Sequence, residues 1–194
     1  HYIKFIKKYS LYKKLYIKFY YIIMKISICG KMCSGKTTLA KYIYSLKENT
    51  KIISFADKLK EIARDLFNME DKDRNLLILL GKKMREIDPN VWINATIKKS
   101  KQFENLIIDD IKYFNELKTL RDNGFKIIKL NISDDLQLKR LKNTYPETWK
   151  SHFKYIRDKS ESQMDLLDNK YFDIEINVDN DNIFEKINLF IKNI

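Results

Sequence analysis

The chain is 194 residues long, which suits one domain, and its 44% hydrophobic and 33% charged residues exclude a disordered protein. Four Gly and two Pro exclude collagen-like and loop-dominated folds, and two cysteines, Cys29 and Cys33, cannot build a disulfide framework, which points to a reducing compartment. The net charge of +12 favours phosphate-bearing partners (nucleotides, nucleic acid or membrane surface), and two histidines, His1 and His152, argue against a His/Cys zinc site or a Ser-His-Asp triad.

Residues 1–23 carry six lysines and no acid. Those lysines recur too often for a membrane-spanning helix, and no small-residue cleavage site marks a secretory signal. Wound as a helix, Lys4, Lys7, Lys8, Lys14 and Lys18 share one broad side opposite Ile, Leu, Phe and Tyr, which would suit an interfacial helix on an anionic surface. The competing reading is an appendage outside the fold, because Met24 directly precedes the first strand signal, as an initiator would. The fold is therefore expected in residues 24–194.

From there strands and helices alternate. A β-branched run at 25–29 enters a Gly, and a helix is expected over 36–46. A second strand at 51–55 leads into a helix over 56–67, with Leu59, Ile62, Ala63 and Leu66 on one face. Helices follow over 73–87 and, opened by Pro89, near 90–99. A third strand at 106–108 ends in Asp109 and Asp110, and a helix over 111–122 stops at Asn123-Gly124. A strand at 125–132 precedes a helix at 134–142 capped by Ser133. Residues 142–160 show no clean period. A last strand at 172–178 and a last helix at 182–191 complete the pattern. Strands separated by helices predict an α/β fold with a mostly parallel sheet covered on both faces.

The strongest chemical signal is Gly30-Lys31-Met32-Cys33-Ser34-Gly35-Lys36-Thr37, which fits G-x-x-x-x-G-K-[ST] between a strand and a helix. Gly30 and Gly35 permit backbone angles that a side chain would forbid. Successive N–H groups and the start of the next helix can then face phosphate oxygens. Lys36 supplies a mobile cation for the β/γ-phosphates and Thr37 a hydroxyl for Mg²⁺. Cys29 reads as a buried strand end and Cys33 as a small loop residue. The chain is too short for a motor or a transporter ATPase, and it lacks the base-reading N-K-x-D of a GTPase. A kinase of small phosphorylated metabolites would need three further parts: a second phosphate site, an acid at the end of the third strand, and a cationic lid.

The pieces ISICGKMCSGKTT, SFADKLKEIARDLF, LLGKKMREIDPNVW, IIDDIKYFNE, DKSESQMDLL and FDIEINVDN stand in an order that spans residues 24–194. In that order the chain resembles the deoxynucleoside monophosphate kinases of phages and large viruses, with animal-type phosphomevalonate kinase as a relative. The resemblance implies a P-loop kinase of three α/β/α layers with a five-stranded parallel sheet, an acceptor-binding helical region and a lid. It implies that Gly30, Met32, Cys33, Ser34, Gly35, Lys36, Thr37 and Thr38 hold the ATP phosphates, with Asn177 where adenine approaches. Lys60 and Arg85 would face the acceptor, and Trp92 would line its pocket by stacking on a base. Asp110 would be the acid of an Asp-x-Arg motif and orient the acceptor or a cationic partner. Its third position is here Lys112, which keeps the charge and loses the bidentate fork. Glu161 matches a Ser-Glu pair after the lid. Charge stabilisation would fall to Lys36, Arg140 and Arg157, with Thr37 on Mg²⁺.

The residues alone leave alternatives open: Lys60 as a solvated helix lysine, Trp92 as core, Arg140 and Arg157 as surface charges, and Asp109 as the Mg²⁺-side acid. The expected enzyme is cytoplasmic, a monomer or homodimer, with ATP and a nucleoside monophosphate as partners and no stable nucleic-acid partner. A phosphomevalonate kinase is the enzymatic alternative. A P-loop scaffold that binds nucleic acid or a membrane surface through residues 1–23 is the alternative of another class.

Overall fold

The computed structural model describes residues 23–156 and 163–194. Nearly all of the basic extension, together with Arg157 and Glu161, lies outside the described residues.

Five strands form one sheet: β1 (Lys25–Gly30), β2 (Thr50–Ile53), β3 (Asn105–Ile111), β4 (Lys126–Asn131) and β5 (Ile174–Asn177). Their order is β2-β3-β1-β4-β5, and every neighbouring pair is parallel. The strands are Ile-rich because both sheet faces are covered. The period of two sorts them: Ile26, Ile28, Ile107, Ile128 and Leu130 face one core, while Cys29, Ile53, Leu106, Ile108 and Ile127 face the other. Helix α1 (Lys36–Leu46) contributes Leu39, Ala40 and Ile43 to the first core, and α8 (Ile183–Lys192) contributes Ile187 and Ile191. On the opposite face pack α4 (Val91–Ser100), through Ile93, and α5 (Phe114–Asp122), through Leu117 and Leu120. These are the three α/β/α layers that the alternation predicts.

A third, smaller core joins α2 (Ala56–Phe67), α3 (Arg74–Ile87) and α4 through Leu59, Ala63, Met69, Leu77 and Trp92. This is the helical region that the family resemblance implies for acceptor binding. Helix α6 (Asp134–Thr144) follows β4, with Ser133 Oγ accepting from Leu136 N at 3.3 Å as its cap. Helix α7 (Trp149–Ile156) lies inside the stretch where the sequence shows no period.

One helix boundary differs from the sequence reading. Residue 111 belongs to β3 and not to the following helix: Ile111 pairs with Cys29 and is 1% exposed. The helix starts only at Phe114, where Glu116 Oε2 accepts from the backbone N of Lys112 (2.9 Å) and Tyr113 (3.1 Å). That satisfies N–H groups that a helix start leaves open. Consequently Asp109 and Asp110 stand within the last turn of strand rather than beyond it. No helix among the described residues is long and apolar enough to cross a membrane.

The chain leaves β1 towards β2 on one side and leaves β3 towards β4 on the other. The crevice between β1 and β3 is therefore a topological switch point, the usual ligand position in open parallel sheets.

Candidate functional site

The phosphate loop fills the carboxyl end of β1. Gly30 has φ +143°, and a Cβ there would stand 2.5 Å from the Leu130 carbonyl oxygen, so only glycine lets β1 run this close to β4. Gly35, at φ +100°, turns the chain into α1. Each carbonyl from residue 30 to 35 has a donor. Lys36 Nζ donates to Gly30 O (2.7 Å) and Lys31 O (2.9 Å). Gln137 Nε2 donates to Met32 O (2.8 Å), and Arg140 Nη1 donates to Cys33 O (3.3 Å) and Ser34 O (3.1 Å). Leu39 N reaches Gly35 O at 2.9 Å. A planar trans peptide points its N–H opposite its C=O. Carbonyls held this way leave the loop amides turned from these partners, as a phosphate cradle requires.

The remaining predicted donor-side residues follow from this frame. Ser34 is buried, with its Oγ unpartnered among the described residues, and Thr38 is exposed in the first turn of α1. Lys31 pairs with Asp134 (3.1 Å) and Asp165 (3.6 Å); burial opposes its charge, but the two acids hold its pKa above the ordinary value. Burial pushes the Cys29 thiol up to about 12, so it remains an inert strand residue as read. Asn177 closes β5 opposite Asn131 of β4; its Oδ1 accepts from Asp179 N at 3.0 Å.

The two acids at the end of β3 alternate sides, and the structure separates their duties. Asp109 Oδ2 accepts from Thr37 Oγ1 at 3.0 Å, so a hydroxyl and a carboxylate sit together at the mouth of the loop. Among the described residues no group of three His, Cys, Asp or Glu could hold a metal. A Thr–Asp pair is instead the sparse donor set that suits Mg²⁺, which takes one or two protein ligands and completes its shell with phosphate and water.

Asp110 turns the other way. It accepts from Phe55 N (2.9 Å), Ala56 N (3.2 Å) and Ser54 Oγ, and thereby caps the start of α2. Burial raises its pKa against those donors. The acid that faces the phosphate loop is therefore Asp109, and Asp110 fixes the start of α2.

Across the crevice stands a group of cations. Lys60 lies on α2, Lys72 and Arg74 at the entry to α3, and Lys112 just after β3. They are close enough to act on one another: partial burial, then the charges of Arg74, Lys60 and Lys112, lower the pKa of Lys72. Arg74 Nη1 lies 4.0 Å from Met32 Sδ, which ties this group to the apex of the phosphate loop. His152 on α7 feels the same field. Its pKa is lowered by burial first, then by the charges of Arg74 and Lys72.

Arg85 stands at the edge of this group. Its Nη2 lies 3.5 Å from Glu116 Oε1, its Nη1 donates to Gly81 O at 3.2 Å, and its guanidinium sits 4.5 Å over the Tyr113 ring. Burial raises Glu116 to about 7, against the Lys112 and Tyr113 amides and Arg85.

Trp92 does not line the pocket. It is 2% exposed, packs in the third core, and donates Nε1–H to Gly81 O at 3.3 Å. That carbonyl also receives Arg85, so the indole anchors α3 beside Arg85 and offers no face to a base. Its large ring follows the ordinary preference for burial once the indole N–H has a partner.

The sequence reading did not single out Lys72, Arg74 or Gln137. Lys72 and Arg74 sit in Glu70-Asp71-Lys72-Asp73-Arg74, whose mixed charges resemble a solvated loop. Gln137 carries no charge signal, although its spacing three residues before Arg140 puts both near one helix face.

Residues 26–176 match a family model described as an AAA domain. Comparison with the curated proteins finds no match. Among solved structures, TT1252 from Thermus thermophilus is similar at TM-score 0.55 and 14% identity, over 88% of this chain and 95% of that one. An uncharacterized protein from Eubacterium ventriosum gives 0.51 and 17%, over 87% and 98%. Shikimate kinase from Bacteroides thetaiotaomicron gives 0.51 and 16%, over 88% and 95%. At such identities the likeness carries the fold alone.

Proposed function

The chain belongs to the AAA domain family, and from that premise we propose that it is a phosphotransferase moving the γ-phosphoryl of Mg-ATP to the phosphate of a small monophosphate. The single observation behind this reading is the pair of anion sites on either side of one crevice. One is the backbone loop at 30–37. The other is the Lys60, Lys72, Arg74 and Lys112 group, where burial first and then the charges of Arg74, Lys60 and Lys112 lower the pKa of Lys72. A phosphate dianion placed among these cations would favour their charged forms.

In this reading Lys36 leaves the Gly30 and Lys31 carbonyls for the donor phosphates. Thr37 and Asp109 would hold a Mg²⁺ ion, which would offset phosphate charge. Arg140, already on the loop, and Arg157 offset charge on the transferring group. Lys60, Lys72, Arg74, Lys112 and Arg85 hold the acceptor in line. The acceptor phosphate is its own nucleophile, so Asp110 has no proton to take and serves through the placement of α2. Positioning and preorganised charge then supply most of the rate. Closure of residues 142–160 would exclude water, since hydrolysis is the competing reaction.

A deoxynucleoside monophosphate is the acceptor we favour, on the resemblance carried by SFADKLKEIARDLF and LLGKKMREIDPNVW. Burial of Trp92 favours a second reading, an acceptor without a base such as phosphomevalonate, because the expected stacking face is absent. A coupled assay of ADP release with dGMP, dTMP, 5-phosphomevalonate and shikimate separates them. Turnover with a deoxynucleoside monophosphate is expected. Turnover with phosphomevalonate alone would select the second reading, and turnover with shikimate alone would refute the phosphate-acceptor class.

A further inference from the structure

One face of α6 is committed to the phosphate loop residue by residue. Asp134 meets Lys31, Gln137 meets the carbonyl of Met32, and Arg140 meets those of Cys33 and Ser34. The spacing of three residues keeps these side chains along one drifting stripe of the helix. The start of α6 is itself fixed, because Ser133 donates through N (3.0 Å) and Oγ to the Asp179 carboxylate in the turn after β5.

Within the stripe Gln137 is the buried member, 3% exposed. The peptide it holds leads into Cys33, which has φ +64°, a left-handed conformation that a residue with a Cβ adopts only when its surroundings enforce it. The enforcement is visible: Gln137 fixes the peptide before Cys33 and Arg140 fixes the carbonyl after it. With Met32 O held towards α6, the Cys33 N–H must point away from α6.

We infer that Gln137 is a positioning residue of the nucleotide site: its amide locks the Met32–Cys33 peptide against the strain at Cys33, and that lock sets the affinity for the donor nucleotide. The inference rests on the nucleotide-binding half of the proposed function and is independent of the acceptor. Arg140 has the charge to act on phosphates directly, whereas Gln137 acts only through the loop.

The test is a double-mutant cycle read by calorimetric titration with Mg-ADP, with melting temperature recorded for each variant. Gln137→Met keeps the side-chain volume and removes the donor; it should weaken Mg-ADP about five- to tenfold, the size of one released left-handed residue. Measured in the presence of Cys33→Gly, the same substitution should cost no more than about twofold, because glycine holds φ +64° without enforcement. Gln137→Ala repeats the cycle should the methionine variant fold poorly. A Gln137 variant that melts lower yet binds Mg-ADP like wild type would overturn the inference, as would an equal loss in both Cys33 backgrounds. Wild-type protein that fails to bind Mg-ADP would overturn the proposed function and this inference together.

Discussion

The two anion sites proposed at the β1–β3 crevice are built on opposite plans. The donor side is one contiguous loop that works through its backbone, with every carbonyl from 30 to 35 engaged. The acceptor side is drawn from α2, the entry to α3 and the segment after β3. It would work through cationic side chains, whose charges add to burial in lowering the pKa of Lys72. A main-chain cradle depends on backbone geometry more than on the side chains of Met32 and Cys33. A side-chain cluster works through its charges, so substitutions there should change which acceptor is used and how well.

The contrast can be broken most severely at the donor side. Lys36→Ala should lower the rate of phosphoryl transfer by about a thousandfold or more, the cost of removing a group that meets charge developing in the transition state. A coupled assay at saturating ATP reads it, and a loss below tenfold would remove Lys36 from the mechanism. Gly30→Ala should strike the fold instead. Its Cβ would meet Leu130 O at 2.5 Å in a left-handed backbone, so a loss of about 2–4 kcal/mol is expected in denaturant unfolding. An unchanged midpoint would contradict the close approach of β1 and β4.

On the acceptor side Arg74→Ala should raise the acceptor KM about ten- to fiftyfold, the weight of one charge-assisted contact, with the ATP KM little changed. Equal rises in both would place Arg74 on the donor side, through its contact with Met32.

The smallest effect concerns pH. Glu116 titrates near 7 in the folded chain against an ordinary 4.5. Between those values the folded state holds more protons than the unfolded one, so this group's contribution to stability falls as pH rises through the window. Glu116→Gln should flatten that fall, because the amide cannot titrate. Melting curves from pH 4.5 to 7.5 that keep the wild-type slope in the variant would reassign it.

The same contrast explains what was legible in the sequence. The phosphate loop could be read because its requirements fall on eight consecutive residues, and the five strands because runs such as Leu106-Ile107-Ile108 are apolar on both faces. Asp109 and Asp110 were legible as a pair, but the twofold period of β3, continuing to Ile111, decides which faces Thr37. That extension depends on pairing with β1, which is long-range. Trp92 carried two readings because an indole suits a pocket or a core equally; the Gly81 carbonyl eleven residues earlier settles it. Lys72 and Arg74 could not be distinguished from solvated loop charges, because their meaning comes from the proximity of Lys60, Lys112 and Met32 in space. Helix α7 escaped because its residues Trp149-Lys150-Ser151-His152-Phe153 mix aromatic and polar groups around one short element.

The central claim is that a backbone cradle and a side-chain cluster grip two anions in one crevice at the same time. Calorimetry with a bisubstrate compound, adenosine joined through a polyphosphate to a deoxynucleoside, tests it directly. The account predicts binding tighter than either ATP or the acceptor alone, and weakened by both Lys36→Ala and Arg74→Ala. Binding no tighter than ATP, and indifferent to Arg74→Ala, would contradict it.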